Sequence, residues 1–128
     1  EIVKDERLIE VGFGLHEGTV VDERNGSFAL FFDDPQNYVA EKGAESYESL
    51  LARTKAFIEN VLFPIEENKP DATVLISGHG ALNKALFLHL LHKQLKDFWS
   101  GVYQGNCAVN QFEIKKGNVR LIDEARYY

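Results

Sequence analysis

Two residue types are nearly absent from this chain of 128 residues, which contains no methionine and a single cysteine, Cys107. One cysteine cannot form a disulfide within the chain, so we expect a cytoplasmic protein, with a cysteine-poor secreted protein as the alternative. Translation starts at methionine, and Glu1 is a poor residue to expose by simple methionine removal. We therefore interpret the sequence as a fragment of a longer protein.

Positive charge and long apolar runs are also scarce. The chain has 14 basic and 20 acidic residues, a net charge of −6, which is the wrong sign for binding nucleic acid through its phosphates. No apolar run approaches the roughly 18 to 20 residues of a membrane span. With 45% hydrophobic and 27% charged residues, the composition predicts one soluble globular domain, with no nucleic acid or membrane as partner.

The middle of the chain predicts helix, strand, helix. Apolar residues recur every three or four positions from Glu45 to Glu67, where Ser46 is a candidate cap and Pro64 is expected to end or kink the helix. The β-branched run Thr73–Ser77 predicts a strand that is buried on both faces, as in a parallel sheet. Ala81–His92 has the length and composition of a second helix.

The sequence gives less detailed predictions for the two ends of the chain. Residues 5–18 predict an irregular loop with three glycines, and residues 20–42 predict a short helix or strand followed by a loop. Cys107–Lys115 and Val119–Ile122 predict a hairpin through the turn 116–118. The fold class predicted is α/β, with a mainly parallel sheet flanked by helices in a three-layer sandwich.

The tetrapeptide Ser77-Gly78-His79-Gly80 is the strongest candidate site. It joins the predicted strand to a helix start, and open α/β folds bind ligands at such strand ends. A helix start offers free N–H groups and a partial positive charge, and glycines let an anion approach the backbone. His79 adds a titratable donor, so we predict a phosphate site here. The alternative is a tight strand-to-helix turn in which His79 only caps a nearby group and binds no ligand.

Four blocks of the chain carry a family resemblance. Residues 5–18 contain the pattern Leu-x-Glu-x-x-x-Gly-x-x-Glu-Gly, and Gly43-Ala44-Glu45-Ser46 precedes a helix with Arg53. Residues 77–86 join a predicted strand to a helix through His79, and Asn106-Cys107 opens a predicted strand. In this order the blocks resemble the histidine phosphatase superfamily, which includes phosphoglycerate-mutase-like enzymes, and residues 77–86 resemble the region of its second catalytic histidine. The resemblance implies catalysis through a phosphohistidine, with Glu10 as proton donor and His79 as the second histidine.

The same resemblance implies a phosphate pocket formed by Gly78, Gly80 and Ala81, to which Gly80 contributes its backbone N–H. It implies a reaction that uses no cofactor and no metal. Lys84 falls where many members have arginine and is interpreted as either functional or a solvated helix residue. The family's nucleophile lies in an Arg-His-Gly motif, yet no Arg-His pair occurs in these 128 residues. Residues 1–128 are thus expected to form the C-terminal part of a single, incomplete phosphoglycerate-mutase-like domain.

The resemblance leads us to expect a phosphatase acting on a small phosphomonoester, with this chain inactive alone. The alternatives are a noncatalytic phosphate-binding relative (a pseudophosphatase) and a phosphoglycerate-type mutase. A metal site at His89 and His92, three residues apart, is a weaker third possibility. Loss of the first strand would expose the edge of Thr73–Ser77, so we expect either the missing N-terminal segment, as a separate piece, or a second copy of the chain to cover it.

Overall fold

The structure, a computed structural model, describes residues 2–20 and 25–128. These ranges contain four α-helices and one pair of strands: α1 Gly26–Asp33, α2 Tyr47–Phe57, α3 Phe63–Asn68, α4 Gly80–Leu90, β1 Val109–Lys115 and β2 Asn118–Arg126. Single 3-10 turns occur at Glu6–Leu8, Gly14–His16, Pro35–Asn37 and Leu95–Asp97. Across the described ranges, no helix is both long and apolar enough to cross a membrane.

The predicted long helix is confirmed, with one difference at Pro64. The Ser46 hydroxyl caps α2 by accepting the N–H of Ser49 at 3.1 Å. A π-helical turn, Ile58–Leu62, follows α2 and leads directly into α3. Pro64 therefore does not end the helix: it is the second residue of α3, which directly follows the π-helical turn, where the backbone hydrogen-bond pattern changes.

The predicted hairpin is also confirmed. Strands β1 and β2 pair antiparallel, with Lys115 opposite Asn118. Lys116 and Gly117 between them both have positive φ, at 51° and 74°, which is the backbone of a type I′ turn. Glycine in the second position allows this conformation without a Cβ clash.

The prediction of a buried strand at residues 73–77 is wrong for this structure. The segment has no regular secondary structure and belongs to no sheet, and Leu75 is 89% exposed. The described residues form one two-stranded antiparallel sheet, so the mainly parallel, three-layer sandwich is not found in them. The physical reason is that an apolar β-branched run fixes an extended backbone, whereas burial also requires neighbouring strands.

Helix α4 is central to the packing, because eight of its eleven residues are buried. One side contacts an aromatic cluster centred on the fully buried Phe31 of α1. Its other side contacts a second cluster, in which Leu86 and Leu90 pack with residues of the 57–62 helix and with the hairpin. Helix α4 is therefore held in place by the core on two sides.

Candidate functional site

The candidate site lies where segment 72–79 meets α4. His79 is the residue that precedes the helix, with extended backbone angles, and its side chain does not cap the helix. It is exposed. Among the described residues the N–H of Gly80 has no hydrogen-bond partner. The structure thus brings an imidazole and a free backbone donor together at one helix start.

Glu10 reaches the same helix start from 71 residues away in the sequence. Its Oε2 accepts the N–H of Ala81 at 3.1 Å, and its Oε1 accepts the N–H of Leu82 at 3.0 Å. The same Oε1 accepts the N–H of Val11 at 2.9 Å. The Glu10 carboxylate therefore caps α4, since the side chain of His79 does not. Apart from the family blocks, no pattern in the sequence indicates this contact.

An arginine pair fixes the loop that carries Glu10. Arg53 binds the Glu45 carboxylate with two parallel hydrogen bonds of 2.8 and 2.9 Å and donates to the carbonyl of Arg7 at 2.7 Å. Burial raises the pKa of Glu45, but the hydrogen bonds from Arg53 and Ser49 outweigh it, so this pKa is lowered. Asp5 in turn binds the Arg7 guanidinium. The second family block thus braces the first.

A close backbone approach joins the two blocks as well. Gly14 has a φ of +58°, and a Cβ on it would lie 2.6 Å from the carbonyl carbon of Gly43. The N–H of Glu45 donates to the carbonyl of Gly12 at 2.8 Å. Glu17 stays within the loop, where its carboxylate accepts the N–H of Phe13 at 2.6 Å. Glycine at position 14 is therefore required by packing, and Glu17 braces the loop.

Lys84 is not a solvated helix residue, so that interpretation is wrong. It is 4% exposed, and its Nζ donates to the carbonyls of Ser100 and Val102 at 2.8 and 3.0 Å. Burial lowers the pKa of Lys84, with the nearby Glu124 carboxylate acting in the opposite direction. Glu124 also accepts the N–H of Val102 at 2.9 Å. This pair holds loop 100–104 beside the candidate site.

A groove of about 650 Å³ runs from the candidate site along α4. Segment 74–79 forms one wall, and the stretch from residue 104 into β1 forms another. Asn83, Leu86, Phe87 and Leu90 of α4 line the floor. Gly78, His79 and Gly80 belong to the same lining. The groove is thus apolar at Leu86, Phe87 and Leu90 and polar at His79 and Asn83.

Comparisons with known proteins identify the family. The sequence profile of the histidine phosphatase superfamily (branch 1) matches residues 1–124. The chain belongs to the histidine phosphatase superfamily. It is 30% identical, over 104 residues, to phosphoserine phosphatase 1 of Hydrogenobacter thermophilus, covering 78% of this chain and 47% of that protein.

Two solved structures share the fold. Bacillus stearothermophilus YhfR matches with a TM-score of 0.80 and 26% identity over 98% of this chain and 61% of its own. A mycobacterial glucosyl-3-phosphoglycerate phosphatase, solved with inorganic phosphate, matches with a TM-score of 0.74 and 21% identity over 95% of this chain and 63% of its own. This histidine phosphatase chain therefore spans about half the length of the curated relative and about three fifths of each solved structure.

Of the two histidines near the C-terminal end of α4, His89 and His92, the first makes a hydrogen bond to α2. The Nε2 of His89 lies 2.8 Å from the carbonyl of Leu51, which can only accept, so this nitrogen carries the proton. His92 is exposed beyond the helix end. Within the described ranges, no group of three or more His, Cys, Asp or Glu side chains is arranged to hold a metal ion. The geometry gives His89 a role in joining α4 to α2.

The stability of this chain should fall in mild acid because of His89. Burial lowers its pKa below 6.5, although the Leu51 carbonyl opposes the shift. The folded state then binds fewer protons than the unfolded state between the folded pKa and 6.5, so the free energy of unfolding rises with pH across that interval and falls as the pH drops through it. Urea unfolding at several pH values should show a weaker acid loss for His89→Gln than for the unsubstituted chain.

The exposed His92 supplies the matched control, since His92→Gln should leave the acid loss as it is. Equal acid loss in His89→Gln and the unsubstituted chain would contradict the assignment to His89.

Proposed function

We propose that this histidine phosphatase chain is the C-terminal part of an enzyme that hydrolyses a small phosphomonoester. The observation that carries the proposal is the meeting of His79, the free N–H of Gly80 and the Glu10 carboxylate at the start of α4. A helix start with free N–H groups favours an anion, and a neighbouring histidine adds a donor to its oxygens. Gly78 and Ala81 flank this pocket.

In the proposed reaction a histidine outside residues 1–128 attacks phosphorus, and the bond to the ester oxygen breaks. Glu10 gives the leaving oxygen its proton, and His79 donates hydrogen bonds to the phosphoryl oxygens. Water then attacks phosphorus and gives its proton to Glu10, the P–N bond breaks, and phosphate leaves. Two relatives, a phosphoserine phosphatase and a glucosyl-3-phosphoglycerate phosphatase, support a phosphomonoester as substrate. Only a short stretch separates Gly18 from Glu45, which favours a phosphatase over a mutase.

The proposed partner within the complete protein is a β-strand that carries the nucleophile. Leu86, Phe87 and Leu90 make the groove floor largely apolar, and segment 74–79 and β1 form two of its walls. Val74 and Leu75 on the first wall are 45% and 89% exposed. A strand between the walls would pair with both and cover these side chains, which removes an open edge. A second copy of the chain is the competing occupant.

The test compares the 128-residue chain with the gene product extended upstream, using p-nitrophenyl phosphate as substrate. We expect hydrolysis by the longer protein only. Hydrogen exchange should show protected amides at residues 73–77 in the longer protein and fast exchange in the short chain, which should remain monomeric in light scattering.

Each other result has a defined meaning. A longer protein that binds inorganic phosphate at the start of α4 but is inactive at every pH would replace the phosphatase proposal with the noncatalytic alternative. Hydrolysis by the short chain would show that no upstream nucleophile is needed. A dimer of the short chain with protected residues 73–77 would favour the second copy.

A further inference from the structure

The start of α4 already holds an anion, and that anion belongs to the chain itself. Glu10 binds the N–H groups of Ala81 and Leu82, two of the donors that a helix leaves free in its first turn. Carboxylate and phosphate oxygens are attracted to this position by the same donors and by the same partial positive charge. A phosphate that binds the N–H groups of Ala81 and Leu82 besides the free N–H of Gly80 would therefore need the place that the Glu10 carboxylate holds.

From this contact we propose that Glu10 is an internal competitor for the phosphoryl group. Its carboxylate blocks the N–H groups of Ala81 and Leu82, and a phosphate gains them only when the side chain moves away. The inference rests on the proposed function, because it takes the start of α4 as the phosphate site. Glu10 would then have two roles: the proton donor that the family resemblance implies, and a carboxylate that occupies the phosphate-binding N–H groups until phosphate displaces it.

Contacts of the neighbouring residues hold the backbone at Glu10 in place, whereas its carboxylate is held only by hydrogen bonds to its own oxygens. Val11, the next residue, is 5% exposed and packs in the aromatic cluster. Arg53 holds the carbonyl of Arg7 three residues before Glu10. All three hydrogen bonds of Glu10 are made by its side-chain oxygens, so rotation of the side chain alone releases α4.

Displacement would also place Glu10 for its proposed chemistry. A carboxylate expelled from the helix start stays tethered within a side-chain length of the phosphoryl group. After the ester bond has broken, the phosphoryl group is on the attacking histidine and Glu10 is a charged carboxylate. Water then attacks phosphorus, the P–N bond breaks, and Glu10 accepts the proton of the water. Once Glu10 has lost this proton to solvent, its carboxylate again competes with the free phosphate for the N–H groups. Its return opposes the bound phosphate product, so the same contact favours product release.

The test measures binding of inorganic phosphate to the 128-residue chain and to Glu10→Ala and Glu10→Gln, by amide chemical shifts. If the carboxylate holds the position about nine tenths of the time, Glu10→Ala should bind phosphate about tenfold more tightly. The Ala81 and Leu82 amides should then respond to phosphate in Glu10→Ala and little in the unsubstituted chain. Glu10→Gln, which keeps an acceptor oxygen without the charge, should lie between them.

A second measurement separates competition from a merely structural role. Without phosphate, Glu10→Ala should have a lower Tm because α4 loses its cap. Affinity and stability are thus expected to move in opposite directions, whereas a purely structural residue would lower both. Glu17→Gln is the matched control: its carboxylate also binds a backbone N–H in the same loop, but not one of α4, so phosphate affinity should not change.

Two negative results are distinguishable. Equal phosphate affinity in the unsubstituted chain and Glu10→Ala, with shifts at Ala81 and Leu82 in both, would overturn the competition and leave the phosphate site standing. A lack of response at residues 79–82 in every variant would overturn the phosphate site and the competition together. If Glu10→Ala does not fold, the Glu10→Gln comparison decides, and equal affinity again overturns the inference.

Discussion

Replacing His79 by alanine in the gene product extended upstream is expected to lower kcat for p-nitrophenyl phosphate by about 10²- to 10³-fold, the cost of removing one preorganised donor to a developing negative charge. The loss corresponds to about 2.7 to 4 kcal/mol of transition-state stabilisation. Stability should change little, because His79 is exposed and its side chain does not cap α4. Activity and urea unfolding, measured on the same samples, provide the check.

His92→Ala is the matched control for this prediction. His92 is an exposed histidine at the opposite end of α4, so its loss should leave kcat unchanged. A second comparison, His79→Gln, keeps an uncharged donor and should retain more activity than alanine. Full activity of His79→Ala would remove His79 from the site, and a loss of activity that follows a loss of folded protein would assign it a structural role.

Local patterns were sufficient for the elements whose partners are near in the sequence. The apolar stripe and the Ser46 cap predicted the helix that begins at Tyr47, and alternation on either side of Lys116-Gly117 predicted the hairpin. Both depend on contacts between residues a few positions apart. The run Thr73–Ser77 was predicted as a buried strand and is instead exposed, because strand burial depends on segments far away in the chain.

The candidate site shows the same division. Periodicity and glycine placement pointed to His79 and Gly80 at a helix start, and the structure has α4 begin there. The contact of Glu10 with Ala81 and Leu82 joins residues more than 70 positions apart, and apart from the family resemblance no pattern in the sequence indicates it. Lys84 was open to interpretation as a surface residue, since its partners are backbone carbonyls, which leave no pattern in the sequence.

The aromatic cluster beside α4 is held together by one ring. Phe31 is fully buried and makes edge contacts with the rings of Phe13 and Trp99 and a stacked contact with Tyr47, at centroid distances of 4.7 to 5.7 Å. Its carbonyl accepts the Tyr47 hydroxyl at 2.6 Å and the Trp99 indole N–H at 2.8 Å. Phe31 therefore joins α1 to α2 and to the segment after α4 by both its side chain and its backbone.

Phe31→Ala should lower the free energy of unfolding by about 3 to 5 kcal/mol, because the surrounding rings cannot collapse fully into the cavity. Domain stabilities are about 5 to 15 kcal/mol, so this change should shift the urea midpoint strongly or leave the chain unfolded. Fluorescence of Trp99, the single tryptophan, reports the transition. Tyr103→Ala, at an 85% exposed aromatic residue, should leave the midpoint unchanged. A Phe31→Ala midpoint equal to that control would show that the cluster does not depend on this ring.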